Sequence, residues 1–185
     1  YTGDNGFFQG EYGMFDKRLM YEPSIRVPML VRYPAAVKPR VDREHMVLNN
    51  DVFHTVLDYA GVPRPAETEQ HGMSWRPILE AGAAAWRESW FYEYFELPGP
   101  HCAPIHRGIR TRRWKLIHYL QAPQAWEMFD LEKDPEERRN LYTDPAHRAT
   151  ASKLREELER WRNVLKDDRS ADGTAPAACT QRMAG

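Results

Sequence analysis

Hydrophobic and polar positions change rhythm near residue 86, and the predicted elements follow that change. Beyond it the chain alternates in short runs: Ser89 to Leu97 (SWFYEYFEL), His106 to Arg112, Trp114 to Leu120 and Trp126 to Leu131. Runs of this length at short spacing, rich in aromatic and β-branched residues, predict four strands of an antiparallel sheet. Leu154, Leu158, Trp161 and Leu165 then recur at helical spacing, behind Asp144 as N-cap and Pro145 at the first helical position. A terminal helix is predicted there, its apolar side on the sheet. After Asp168 the tail is rich in Ala, Ser, Thr and Gly and is expected to be disordered.

Before residue 86 the pattern is mixed. Val27 to Tyr33 (VPMLVRY), an apolar run bounded by Pro28 and Pro34, predicts a buried strand. Asn50 as N-cap and Asp51 in the first turn open a predicted helix that runs to Ala60 and stops at Gly61. Val52, Phe53, Val56, Leu57 and Ala60 form its apolar face; His54 lies off that stripe and is expected at the surface. Met73 to Leu79 predicts a single turn, and Ala81 to Ala85 a linker of small residues. The divisions expected are therefore 1–85, 86–168 and a tail at 169–185.

Charge removes two classes of partner. Lys+Arg number 26 against 27 Asp+Glu, so a nucleic acid or membrane surface has no electrostatic support. No stretch approaches the roughly 18 to 20 continuous apolar residues of a membrane span. Cys102 and Cys179 are far apart and form neither a disulfide framework nor a metal pattern. The first residue lies where a strand would be ending just ahead of a site loop, which is the expectation for the C-terminal part of a longer protein.

Candidate chemistry is concentrated in Tyr1 to Lys17 (YTGDNGFFQGEYGMFDK), too polar for core and too glycine-rich for helix. Asp4 and Asn5 carry hard oxygen atoms of the kind Ca²⁺ or Mg²⁺ takes, and Gly3 and Gly6 permit a tight turn. A plain D-N-G turn fits the same residues. Phe7, Phe8, Tyr12, Met14 and Phe15 are expected to pin the loop to the core. Lys17 is a compact point charge suited to sulfate or phosphate oxygens, or else a solvated surface lysine. A second polar loop, Pro98 to Arg113, gathers His101, His106, Arg107 and Arg110. It reads equally as a site for an anionic sugar or as a charged hairpin loop. The spacing of Trp86, Trp90, Trp114, Trp126 and Trp161 favours core packing over sugar stacking.

The run from Asp4 to Pro34, D-N-G-x-x-x-G-E-Y-G-x-F-D-K-R-L-M-Y-E-P-S-I-R-V-P-M-L-V-R-Y-P in outline, resembles the second signature block of the sulfatases, in the alkaline-phosphatase superfamily. The resemblance covers about residues 1 to 168. It implies an α/β fold: the C-terminal part of an alkaline-phosphatase-like α/β/α domain, then a small subdomain with a four-stranded antiparallel sheet and a terminal helix. It implies Ca²⁺, rather than Mg²⁺, held in part by Asp4 and Asn5, and contact between Lys17 and the substrate sulfate. It also implies hydrolysis of a sulfate ester or sulfamate on a sulfated carbohydrate; it suggests a periplasmic or secreted location and leaves a cytoplasmic one open. Tyr12 stands where many members have His, and Gly3 where many have Ser.

The family's nucleophile, a formylglycine made from the Cys or Ser of C/S-x-P-x-R, precedes this block. Cys102 is not that residue: in C-A-P-I-H-R the arginine arrives one position late, at Arg107, and the motif follows Asp4. The chain therefore carries no nucleophile and is expected to need the remainder of the catalytic domain. A phosphonate or phosphodiester hydrolase of the same superfamily, and a glycan-binding relative without a nucleophile, are the alternatives.

Overall fold

The computed structural model describes residues 1–65, 71–82, 85–96, 103–121 and 124–168. In chain order the elements are β1 (Phe8–Gln9), β2 (Phe15–Asp16), α1 (Glu22–Ile25), α2 (Asp51–Ala60), α3 (Arg76–Ala81), β3 (Ser89–Tyr94), β4 (His106–Thr111), β5 (Trp114–Tyr119), β6 (Ala125–Asp130) and α4 (Arg148–Val164). Two compact units share them: Tyr1–Asp4 with Pro28–Glu88, and Asn5–Val27 with Ser89–Gly185. Among the described residues no helix is long and apolar enough to cross a membrane.

The second unit contains the four predicted strands as one antiparallel sheet, in the order β3-β4-β5-β6. Alternation along the strands separates two cores. Ile109, Leu116 and Met128 are cross-strand neighbours, and with Ala151, Leu154 and Leu158 of α4 they form one cluster. Ile117 and Phe129 join Phe8, Met20 and Tyr21 in the other. The 5–27 segment thus packs on the sheet through residues that a helix does not supply. Gly108 permits the close approach, since a Cβ there would lie 2.3 Å from Met20 Sδ and 2.5 Å from the Leu116 carbonyl oxygen.

Asp144 and Pro145 open a 3-10 turn rather than α4 itself, which begins three residues later at Arg148 with His147 in the N-cap position. Asp144 Oδ1 accepts the Ala146 amide at 3.0 Å, with Pro145 in the 3-10 turn that leads into the helix. Trp126 is stacked between His118 and Tyr142, at centroid separations of 3.7 and 5.3 Å, so packing occupies both faces of the indole. Of the aromatics expected to pin the glycine-rich loop, Phe8 does so at 1% exposure, with Met14 partly buried. Phe7 and Phe15 are exposed and meet edge-on at 5.1 Å, and Tyr12 is also exposed.

The first unit departs from the sequence pattern in three places, the smallest being α3, a helix at Arg76–Ala81 where a single turn over Met73 to Leu79 is expected. Val27 to Tyr33 is not a strand; it forms a single antiparallel bridge, Thr2 to Met29, and Leu30, Val31 and Tyr33 are exposed. An apolar run becomes a strand only where a ladder partner lies beside it, and among the described residues only Tyr1 and Thr2 do so. Helix α2 has its predicted span and ends on Gly61 at φ 66°, but it turns the other face inward. Asp51, His54 and Thr55 are buried, whereas Phe53 and Val56 are 51% and 61% exposed. His54, expected at the surface, is 3% exposed. Asn50 occupies the N-cap position without a side-chain cap; the Asp51 carboxylate takes the Leu48 amide instead, at 2.8 Å.

Candidate functional site

In the second unit Lys17 and Asn5 come together. Lys17 Nζ donates to Asn5 Oδ1 at 3.0 Å, and Asn5 Nδ2 donates to the Gly6 carbonyl at 2.6 Å; both side chains are half-buried. Gly6 cannot be another residue without rearrangement, because a Cβ would lie 2.1 Å from the Pro23 carbonyl oxygen. Its amide donates to the Ser24 carbonyl at 2.8 Å. Gly6 is therefore required by a close backbone crossing.

Helix α1, just beyond, is anchored by a buried ionic cluster that sequence reasoning did not single out. Lys115 Nζ, wholly buried, lies 2.9 Å from Glu22 Oε1 and 2.5 Å from Glu137 Oε1. Arg110 Nε reaches the same Glu22 oxygen at 3.2 Å, and the Glu22 amide donates to Glu137 Oε2 at 2.6 Å. Burial by itself would raise the Glu22 carboxyl, but Lys115 and Arg110 outweigh it and bring the pKa down to about 2. Burial raises Glu137, with Lys115 opposing. The available signal was Lys115 itself, a charge that alternation places on the same side of β5 as Ile117 and Tyr119.

Asp4 belongs to the first unit and is exposed, its carbonyl accepting Asn49 Nδ2 at 2.6 Å. The turn before α2 is organised by Asp51. That carboxylate is fully buried, pairs with Arg87 through both oxygens, and accepts from the Met73 amide at 2.8 Å and Trp75 Nε1 at 3.1 Å. Burial works to raise its pKa, but Arg87 and the amides prevail and hold it below the ordinary value.

The second candidate loop is differently placed. His101 lies outside the described residues. His106 is fully buried on β4, its ring 5.4 to 5.7 Å from those of Tyr92, Tyr94 and Tyr119. Its Nδ1 is 2.7 Å from the Pro104 carbonyl, to which it donates, and burial lowers the ring's pKa to about 4, so it is neutral near pH 7. Arg107, 2% exposed, pairs with Asp167 at 2.7 Å. Arg110 belongs to the Glu22 cluster.

As metal ligands Asp4 and Asn5 have suitable chemistry and insufficient number. A carboxylate and an amide oxygen are hard donors, but Ca²⁺ takes six to eight oxygens. Among the described residues no group of three or more His, Cys, Asp or Glu side chains could hold a metal ion. An amide oxygen has two lone pairs, so the Lys17 contact leaves Asn5 Oδ1 compatible with a cation.

In the second unit the four-stranded sheet therefore carries α4 on one face and the segment that holds Asn5 and Lys17 on the other. The family model described as "N-sulphoglucosamine sulphohydrolase, C-terminal" matches residues 10–164, and the chain belongs to that family. It is 39% identical over 171 residues to an N-acetylglucosamine-6-O-sulfatase of Bacteroides thetaiotaomicron, covering 91% of this chain and 30% of that protein. The solved structure of BT4656 in complex with its substrate D-glucosamine-2-N,6-O-disulfate superposes with a TM-score of 0.84 at 38% identity, over 91% of this chain and 34% of that one. A phosphonate monoester hydrolase of Agrobacterium radiobacter shares the fold, with a TM-score of 0.71 at 24% identity over 88% of this chain and 34% of that one. The chain thus spans about a third of the length of these proteins.

Proposed function

We propose that this chain forms the C-terminal part of a sulfatase that hydrolyses a sulfate ester of a sulfated amino sugar. One observation carries the reading: Lys17 and Asn5, which the sequence resemblance assigns to the family's sulfate and calcium positions, meet at 3.0 Å. The likeness to an N-acetylglucosamine-6-O-sulfatase supports the substrate class.

Asp4 and Asn5 would supply part of a Ca²⁺ shell, the remaining ligands and a formylglycine nucleophile coming from outside these 185 residues. When bound, the cation withdraws charge from sulfate oxygens. Lys17 holds a non-bridging sulfate oxygen by an ammonium donor, while Asn5 Oδ1 accepts another donor of the same ammonium and limits its rotation. Preorientation of that charge serves the developing transition state better than a free lysine would. The burial of His106 and Arg107 favours structural work for both over substrate contact.

The test is sulfate release from N-acetylglucosamine 6-O-sulfate by the complete polypeptide, beside an aryl phosphodiester. Sulfate release that falls by about 10²-fold or more in Lys17→Ala is expected. Chelation of Ca²⁺ should abolish it, and added Ca²⁺ restore it. Preferred turnover of the phosphodiester would reassign the chain to a phosphonate or phosphodiester hydrolase, and binding of the sugar without turnover to a glycan-binding protein.

A further inference from the structure

Lys17 is flanked by two residues with left-handed backbone: Asp16 at φ 81° and Arg18 at φ 95°. Neither is glycine. Such a conformation is costly for a residue with a Cβ and persists only where the surroundings impose it. Two side chains clamp the Arg18 backbone. Its amide donates to Ser24 Oγ at 3.1 Å, and its carbonyl accepts the Tyr92 hydroxyl at 3.2 Å. Ser24 is 4% exposed, and its own carbonyl accepts the Gly6 amide at 2.8 Å. One serine therefore ties the neighbour of Asn5 to the neighbour of Lys17.

We propose that Ser24 and Tyr92 are positioning residues for Lys17: by holding the Arg18 backbone in its left-handed conformation they aim the ammonium across Asn5. The proposal rests on the sulfate-contact reading of Lys17. A lysine stem has four rotatable bonds, so its charge can be placed only if its root is fixed. Here the root is followed by a clamped backbone conformation at Arg18, and Asn5 Oδ1 fixes the tip at 3.0 Å. The clamp is itself anchored, because Ser24 lies on α1, two residues from Glu22 in the buried ionic cluster. Removing the Ser24 hydroxyl leaves its carbonyl contact with Gly6, so the loss is confined to the Arg18 side.

The experiment is a double-mutant cycle in the complete polypeptide, with sulfate release from N-acetylglucosamine 6-O-sulfate as the rate and thermal melting as the check on folding. Ser24→Ala and Tyr92→Phe are each expected to lower kcat/KM by about tenfold, as small misplacements of a reacting group do. Added to Lys17→Ala, each should cost less than about twofold, because its effect passes through the missing ammonium. Full additivity with Lys17→Ala overturns the proposal, as does parental turnover by both single variants. Parental turnover by Lys17→Ala instead overturns the reading of Lys17, and a parent that releases no sulfate overturns the functional reading and this proposal with it. If Ser24→Ala fails to fold, the Tyr92→Phe cycle decides on the same terms.

Discussion

Lys115 is a fully buried cation between two carboxylates, and this cluster contributes to how the second unit responds to acid. Glu22 is held at about 2, below its ordinary 4.5, so its contribution is complete above about pH 4.5 and is lost as pH falls toward 2. Glu137 has the opposite sign. Its raised pKa contributes stability below its ordinary 4.5, which is lost as pH rises through the raised value. Glu22→Gln is expected to cost about 3 kcal/mol near neutral pH, since it leaves Lys115 with one carboxylate. It should also flatten the acid limb, read as urea midpoints between about pH 5 and pH 2. An acid limb parallel to the parent's would contradict this account.

Among the elements, the sheet is covered on both faces by unlike partners. Helix α4 covers one through Ala151, Leu154 and Leu158, an ordinary amphipathic solution. The other is covered by Phe8, Met20 and Tyr21 from a segment of two-residue strands and single turns. Such a segment lacks a helix's repeated contacts and depends on a few close approaches. Gly108→Ala should therefore be costly: its methyl group would intrude on Met20 Sδ and the Leu116 carbonyl. A loss of about 1–3 kcal/mol in urea unfolding is expected, the range for overpacking a filled core. Unchanged stability would mean that the 5–27 segment can lift off the sheet without penalty.

For the molecule as a whole, the first unit shows the apolar side of α2 to solvent, with Phe53 and Val56 more than half exposed. An exposed patch of this kind favours association. Phe53→Ser with Val56→Ser should raise the soluble, monomeric fraction of the 185-residue chain, measured by sedimentation. Because both side chains are exposed, stability should move by no more than about 0.5 kcal/mol for each. Self-association equal to the parent's would show that this face is not the adhesive one.

Local rules were enough to specify four strands by their alternation, the Asp144-Pro145 turn that leads into α4, and the ordered block from Asp4 to Pro34 that carries the family resemblance. Each is written within a few dozen consecutive residues and needs no knowledge of distant partners. Tertiary structure decided the rest. Periodicity marks an apolar face of α2 but cannot say what will lie against it, and Asp51, bound by Arg87 and Trp75, turns the polar face inward. The same limit hid the Val27 to Tyr33 outcome, because a strand requires a neighbour. It also hid the link from Glu22 through Lys115 to Glu137 and the clamp on Arg18 by Ser24 and Tyr92. These contacts join residues far apart in the chain, and their energy depends on burial and distance that only the folded arrangement supplies.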